Sequence, residues 1–435
     1  MRLSCLLAPL LLACMTPAHA FCGFFVGKAD AGLFNEASQV ILVRDGNHTV
    51  ISMLNDYKGQ PAAFALVVPV PEVLQRGQIN VGDRRIFQRL DSYSAPRLAE
   101  YHDEDPCARR EYEMMSRKDL ALPAAAGVMD AARRNRALGV TVEAAYTVGE
   151  YDIVILSARQ SDGLETWLVE NGYRIPAGAS RALKPYVRQQ MKFFVAKVNI
   201  KERAKTGLTY LRPLQFAFES EKFMLPLRLG MVNARGPQDL IAFVLTRNGR
   251  VEATNYRTVK LPANMEVPLF VRDEFDRFYK ALFAQQAQRE RLSVVFTEYF
   301  WDMSWCDPCA ADPLNPEELR QAGVPWAEPA NGSAPKVMVT RLHVRYTPAT
   351  FPEDLVFQET GDRENFQTRY VLHHAWNGDE NACPEAKTYF EAVRKREQLQ
   401  ATTLASITGW ELADIRKRMG ILAKPEAKWW ERLWK

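Results

Sequence analysis

Two cysteines, Cys306 and Cys309, stand three residues apart, shortly after a predicted strand from Val294 to Trp301. Two thiols at this spacing can form a structural disulfide, exchange disulfides with a substrate, or give two sulfur ligands to a metal ion. No other part of the sequence combines residue types and spacing in a way that indicates specific chemistry. The pair is therefore the first candidate for a functional site, with structural disulfide chemistry as the favoured interpretation in an oxidising compartment.

The order Trp305-Cys306-Asp307-Pro308-Cys309 resembles the active-site pattern of thioredoxin. In that chemistry a helix N-terminus lowers the pKa of the first thiol, and the thiolate attacks a disulfide. The resemblance is partial, because Asp312 precedes a proline and such a residue avoids helical geometry. Asp307 also places a negative charge between the sulfurs, which is expected to raise the pKa of a thiol. Redox activity through the pair is thus the alternative hypothesis.

A metal site at this pair needs further ligands from a distant part of the chain. Cys383, together with His373 or His374, would complete a zinc-type ligand set with Cys306 and Cys309. The two cysteines of the pair are separated from Cys383 and from the histidines by long and irregular stretches of sequence. The sequence therefore favours a simpler interpretation of the two histidines, a strand end with one packed imidazole and one solvated imidazole.

The acidic stretch that follows His102 offers oxygen ligands for a hard cation. Asp103, Glu104 and Asp105 stand in a row, but the ligand spacing and the turn glycine of an EF-hand are missing. We expect residues 101–107 to form a solvated acidic loop.

Established catalytic motifs are missing from the sequence. It contains no GxSxG, HExxH, GxxxxGK[ST] or GxGxxG pattern. Ser333 and Lys336 have the spacing of a serine–lysine nucleophile, but Pro335 and the predicted loop argue against that role. We predict no cofactor, and no catalytic residue beyond the two redox candidates.

The first 20 residues have the form of an export signal. Arg2 precedes a short apolar run, Leu3 to Leu12. Ala18-His19-Ala20 then supplies small residues, so cleavage is expected before Phe21. A lipobox-like sequence ending at Cys14 is the alternative, and we prefer simple cleavage. No later apolar run is long enough to span a bilayer.

Export places the remaining cysteines where disulfides persist, in the periplasm or outside the cell. These disulfide candidates are Cys22, Cys107, Cys306, Cys309 and Cys383. Because their number is odd, at least one thiol is free or pairs between chains. We expect a Cys22–Cys107 bond, which would tie together the two ends of the first predicted domain.

Length and composition indicate a folded protein of two or three domains. The chain has 435 residues, of which 47% are hydrophobic and 25% are charged. A net charge of +4 is small for this length and gives no reason to expect a nucleic acid partner.

Strand patterns dominate the N-terminal and central parts of the chain. Val40 to Val43 and Thr49 to Met53 flank an Asp-Gly turn, and Phe64 to Pro71 has the pattern of a buried strand. Further strands are predicted at Phe223 to Gly230 and at Leu240 to Leu245. We predict an α+β fold with β-rich N-terminal and central regions, in an antiparallel sheet or sandwich, and a mainly helical C-terminal end.

Helical patterns are fewer and easier to delimit. Asn315 precedes a proline and two glutamates, which is a typical helix start, and a charged helix is predicted from Glu385 onward. One helix carries an aromatic face, expected to be core and not a ligand box, made of Phe275, Phe278, Tyr279, Leu282 and Phe283. The tail from Lys428 to Lys435 mixes tryptophan with basic residues. It is predicted to pack on its own domain, with membrane-surface contact as the alternative.

These patterns divide the chain into six segments. They are a signal peptide at 1–20, a β-rich N-terminal domain at 21–118, a linker or helix at 119–145, a central α+β domain at 146–300, a CxxC-containing α+β segment at 301–384 and a helical tail at 385–435.

Several long segments together resemble a family of exported bacterial proteins defined as domain of unknown function 2330. The segments are Ala29 to Val40, Phe64 to Pro71, Leu90 to Arg97, Glu150 to Ile153, Ser161 to Trp167, Phe194 to Asn199, Trp305 to Cys309 and Phe351 to Leu355. The resemblance covers nearly all of the mature chain and implies export. It transfers no catalytic residue, cofactor or ligand.

The sequence therefore leaves two hypotheses about function. The first is a non-enzymatic binding or structural protein of the envelope, stabilised by disulfides, with an unknown envelope protein or ligand as its partner. The alternative is a thiol–disulfide oxidoreductase that acts through Cys306 and Cys309.

Overall fold

A computed structural model describes residues 24–27, 34–58, 64–108, 141–158, 161–173, 178–207, 210–233, 236–305, 311–327 and 336–421. Within these residues the chain forms one five-stranded sheet, one nine-stranded sheet, two three-stranded sheets and eight α-helices. The predicted α+β class is confirmed. Several predicted features lie outside the described residues, namely the signal peptide, most of the linker at 119–145, the tail from residue 422, Cys14, Cys22, Cys306, Cys309 and Ser333.

The strands have the following bounds in chain order: β1 Phe24–Gly27, β2 Phe34–Asp45, β3 His48–Lys58, β4 Phe64–Val70, β5 Ile79–Val81, β6 Arg97–His102, β7 Thr141–Val148, β8 Tyr151–Ser157, β9 Lys192–Val198, β10 Leu214–Glu219, β11 Met224–Leu225, β12 Gln238–Thr246, β13 Val251–Ala253, β14 Arg257–Lys260, β15 Met265–Glu266, β16 Val294–Asp302, β17 Met338–Tyr346, β18 Leu355–Glu359, β19 Phe366–Gln367 and β20 Arg369–His374. The helices are α1 Arg84–Ser94, α2 Ser161–Glu170, α3 Ala179–Arg188, α4 Ile200–Thr206, α5 Phe275–Arg289, α6 Pro316–Gln321, α7 Pro384–Thr408 and α8 Leu412–Arg418.

The nine-stranded sheet has the order β14-β16-β17-β12-β2-β3-β10-β5, and β19 pairs with β16. Its β2–β3 hairpin confirms the predicted Asp-Gly turn, where Gly46 has a φ of +55°. Two pairings in this sheet, β2 with β12 and β14 with β16, are parallel and were not predicted. The sheet takes strands from the predicted N-terminal domain, central domain and CxxC-containing segment, so backbone hydrogen bonds join these three segments.

The five-stranded sheet, β1-β4-β9-β8-β7, packs on one face of the nine-stranded sheet. Leu66 and Phe194 from the smaller sheet share a core with Val40 and Phe216 from the larger one, which confirms a sandwich. The predicted buried strand at Phe64 to Pro71 is β4, which pairs on both sides. Helices α2 and α3 cover the outer face of the five-stranded sheet.

Helices cover the other face of the nine-stranded sheet in two groups. Helices α1 and α6 pack over β2 and β12, while α5, α7 and α8 pack over the β16 end and the small sheet β15-β20-β6. Helix α1 lies in a region that the sequence predicted to be β-rich. Its signals were the N-cap Asp83, which accepts a hydrogen bond from the Arg85 backbone, and buried Ile86 and Leu90 at helical spacing.

The strand predicted at Phe223 to Gly230 is reduced to β11, which has two residues. Pro226 follows β11 directly and has no backbone N–H for a ladder, so pairing ends there. In the part of the chain that the structure describes, no helix combines the length and the apolar character needed to cross a membrane.

Candidate functional site

The small sheet β15-β20-β6 is parallel throughout, so the carboxyl ends of its three strands meet at one edge. This arrangement places Glu266 at the end of β15, His373 near the end of β20 and Tyr101 near the end of β6. In open parallel sheets, ligands bind in the crevice outside the carboxyl ends of the strands. This edge is therefore a candidate ligand site.

An open crevice with a volume of about 1540 Å³ lies at this edge. One wall is the loop of residues 103–108, which follows β6 directly. The opposite wall is a face of α7 that includes Tyr389, Arg396 and Leu399. Helix α7 packs on α5, and the hydrophobic core that they share fixes the position of this wall. We call this space, with its two walls and the three strand ends, the crevice.

Asp103 forms the centre of a hydrogen-bond network between the two walls. Its carboxylate accepts from Nη2 of Arg396 at 2.6 Å and from the Tyr389 hydroxyl at 2.7 Å. Burial alone would raise the pKa of Asp103. The hydrogen bonds from Arg396 and Tyr389 outweigh that effect and hold the pKa below its ordinary value of 3.8. The predicted solvated loop is thus wrong for Asp103, whose side chain is 14% exposed, whereas Glu104 and Asp105 are exposed.

His373 lies between two carboxylates. Its Nδ1 is 3.3 Å from Oδ1 of Asp103 and its Nε2 is 3.5 Å from Oε1 of Glu266. The Tyr101 ring stacks on the imidazole with 5.5 Å between centroids. Both ring nitrogens therefore face protein groups, and neither is left pointing into the crevice toward a ligand.

His374 belongs to a second pair of stacked rings at the same strand ends. It stacks on His102 at a centroid distance of 4.3 Å, and its Nε2 is 2.7 Å from Oε2 of Glu100. The predicted strand end is confirmed. The expectation of one packed and one solvated imidazole is wrong, because the side chains of His373 and His374 are 25% and 24% exposed.

A disulfide joins the two walls of the crevice. Cys107 lies in the loop of residues 103–108, and Cys383 is the N-cap residue of α7, with 5.9 Å between the Cα atoms. The predicted Cys22–Cys107 pairing is therefore wrong. The bond also removes Cys383 from the proposed zinc set, since a disulfide sulfur is not the thiolate that zinc needs. Within the described residues, no group of three or more His, Cys, Asp or Glu side chains is placed to hold a metal ion.

A second titratable cluster lies in the interior, on the helix-covered face of the nine-stranded sheet. The pairing of β16 with β17 shifts between Thr297 and Tyr299, so Glu298 is the extra residue of a β-bulge. Its carboxylate accepts from Nε of Arg341 at 2.5 Å, lies 2.6 Å from Nδ1 of His343, and accepts from the Tyr279 hydroxyl.

This interior cluster is closed to solvent. Glu298 is fully buried, and the His343 ring stacks on Phe283 with 3.5 Å between centroids. Burial would raise the pKa of Glu298, but the charges of His343 and Arg341 lower it to about 2. The aromatic face of α5 is core, as predicted, although Tyr279 also serves the cluster. A glutamate inside the apolar strand Val294–Asp302 was the sequence signal for this site.

Comparison with known proteins identifies a family without a described activity. No curated protein and no solved structure shows significant similarity to this chain. The profile of a family described as an uncharacterized protein conserved in bacteria matches residues 16–358, which is most of the chain. The predicted resemblance is thereby confirmed, and the chain belongs to the DUF2330 family.

Proposed function

We propose that this chain is an exported envelope protein that binds a cationic, partly apolar ligand in the crevice and does not transform it. The observation that carries the proposal is the combination of an acidic rim with exposed apolar side chains at the carboxyl ends of three parallel strands. A short basic peptide segment with apolar side chains has the matching chemistry.

Charge favours a cationic ligand. Among the residues that the structure describes, four carboxylates line the crevice, on Asp103, Glu104, Asp105 and Glu266, against one guanidinium, on Arg396. Arg396 is already paired with Asp103, so the carboxylates of Glu104 and Asp105 at the exposed rim set the local potential. A crevice lined by charge of one sign concentrates ligands of the opposite sign.

Exposed apolar surface favours a ligand that carries apolar groups as well as positive charge. Leu399 on α7 is 67% exposed and Tyr101 on β6 is 45% exposed, and both line the crevice. Burying such side chains against an apolar group is favourable, and the Tyr101 ring can also accept a cation over its face. The open volume accommodates an extended segment better than a small enclosed molecule.

The geometry argues for binding and against catalysis. Both nitrogens of His373 face carboxylates, and Asp103 is occupied by Arg396 and Tyr389. A general base needs a free position toward the substrate. The described residues that line the crevice include no serine, and Cys107 in the wall loop is bonded to Cys383, so neither type supplies a free nucleophile beside the Asp103–His373 pair.

A peptide titration tests the proposal. A short labelled peptide of lysines and leucines should bind the full chain saturably, and its glutamate analogue should not. Glu104→Gln and Leu399→Ser should each raise the Kd by about fivefold, because each removes about 1 kcal/mol of interaction. The matched control is Glu364→Gln, an exposed carboxylate outside the crevice, which should leave the Kd unchanged. Equal binding of both peptides, or turnover of the lysine peptide, would refute the proposal.

A second candidate function, thiol–disulfide exchange by Cys306 and Cys309, is favoured by one observation. Trp305, the residue before the first cysteine, is 50% exposed and packs edge-on against Trp301. Trp305, the last described residue before the CxxC segment, therefore lies at the surface. Insulin reduction that is lost in Cys306→Ser would support this function, and unchanged turnover in that variant would exclude it.

A further inference from the structure

The bond between Cys107 and Cys383 joins the two walls of the crevice. It fastens the loop of residues 103–108 to the first residue of α7, across 276 residues of sequence. The loop carries Glu104 and Asp105, the exposed carboxylates of the proposed site. The bond therefore links the loop that carries the charged rim to the start of α7.

The two cysteines differ in exposure and in surroundings. Cys107 is exposed, and Asp105 accepts a hydrogen bond from its backbone N–H at 2.8 Å. Cys383 is half-buried at the N-cap of a helix of 25 residues, where its side chain makes no capping hydrogen bond. A helix N-terminus stabilises a thiolate, although Glu385 in the first turn opposes this effect. The carboxylate of Asp105 beside Cys107 destabilises a thiolate on Cys107.

We propose that the Cys107–Cys383 disulfide is an exchangeable latch on the crevice, opened by a dithiol protein of the envelope. A thiolate of the dithiol attacks Sγ of Cys107, the more exposed of the two cysteines, a mixed disulfide forms, and Cys383 leaves as the thiolate. The second thiol of the dithiol protein then attacks the sulfur that this protein contributed to the mixed disulfide, and Cys107 is released as a thiol. Two electrons and two protons pass from the dithiol to Cys107 and Cys383, and the dithiol becomes a disulfide.

The structure indicates a local opening after reduction. Asp103 stays tied to α7 through Arg396 and Tyr389, and β6 stays paired with β20. Residues 104–108 then lose their covalent link to α7, so Glu104 and Asp105 move with more freedom. A ligand that depends on both walls should be released. This inference rests on the proposed binding function.

Trapping experiments test the direction of the exchange. In a full chain carrying Cys22→Ser, Cys306→Ser and Cys309→Ser, Cys107 and Cys383 are the only cysteines left in the mature sequence. A dithiol protein that lacks its second cysteine should be trapped on Cys107 and not on Cys383, as read by peptide mass spectrometry. Trapping on Cys383, or a bond that resists dithiols until the chain unfolds, would overturn the inference.

Binding and exchange measurements separate this inference from the proposed function. Reduction should raise the Kd for the lysine peptide by at least about fivefold, and re-oxidation should restore the original value. Amide exchange should speed up in residues 104–108 while the nine-stranded sheet stays protected. Cys107→Ser with Cys383→Ser should match the reduced form. If the Kd for the lysine peptide is unchanged after complete reduction, the latch is refuted. If the oxidised form does not bind the peptide but amide exchange in residues 104–108 is faster after reduction, the proposed ligand is refuted and the redox-controlled opening stands.

Discussion

Glu298 accepts a hydrogen bond from Nε of Arg341 at 2.5 Å, inside the seam between the two groups of helices that cover the nine-stranded sheet. Arg341 also donates to Asp91 of α1 at 2.6 Å, and its guanidinium lies over the Phe243 ring. Two ion pairs that share Arg341 therefore connect β16, β17 and α1. A buried pair of this kind is costly to break, because removing one partner leaves the other charge in a dry interior.

Replacing Glu298 by glutamine should destabilise the protein by about 3 kcal/mol, since Arg341 and His343 lose the carboxylate that compensates their burial. Urea unfolding followed by tryptophan fluorescence measures the change. Glu364→Gln, which removes an exposed partner of Lys260, is the control and should stay within about 0.5 kcal/mol of the parent. A loss below 1 kcal/mol for Glu298→Gln would show that the buried pair contributes little.

Stability should also fall in acid because of Glu298. Its folded-state pKa of about 2 lies below its ordinary value of 4.5. The stabilisation is therefore fully present above about pH 4.5 and is lost as the pH falls from 4.5 towards 2, with a size of roughly 3 kcal/mol. Urea titrations between pH 2.5 and 6 should show a smaller difference between parent and Glu298→Gln at the acid end. A difference that stays constant across this range would contradict the assignment.

Asp103→Asn should loosen the crevice even when the disulfide is intact. The substitution takes a charged acceptor away from Arg396 and Tyr389, at an expected cost of about 1–2 kcal/mol. Hydrogen exchange read by mass spectrometry should show faster exchange of residues 103–108. Glu104→Gln, on the same loop but exposed, should exchange at the parental rate, and equal behaviour of the two variants would argue against the network.

Gly249 should not tolerate alanine. An added Cβ would lie 2.0 Å from the backbone oxygen of Thr360, in the turn after β12. The turn would have to move, and overpacking of this kind costs about 1–3 kcal/mol. Gly361→Ala is the matched control in the facing loop, because a Cβ there meets no atom within 4 Å. Thermal unfolding of the two variants compares them directly, and equal Tm values would refute the steric argument.

Features that depend on neighbouring residues could be predicted from the sequence. The Asp-Gly turn between β2 and β3 has its residue of positive φ at Gly46. The capping box at Asn315 starts α6 as expected, with Glu318 as its partner. In both cases the determining residues lie within one turn of each other, so a local pattern contains all the information.

The crevice could not be predicted in this way. Its strand ends come together because β6 pairs in parallel with β20, and its disulfide joins Cys107 to Cys383. Pairings at such separations have no local signature, and five cysteines allow many connectivities. The sequence therefore identified several of the residues, among them His373 and Asp103, but not their association.

The parallel pairing of β2 with β12 has a consequence for how the chain reaches its native state. About 190 residues separate these two neighbours, and β17, on the far side of β12, follows only after about another 90. Contacts of such high contact order form slowly. Until the late strands have been synthesised, the apolar β2–β3 hairpin has an open edge that other chains can join. A holdase chaperone that shields this hairpin should therefore increase the yield of native protein more than one that acts on the C-terminal helices.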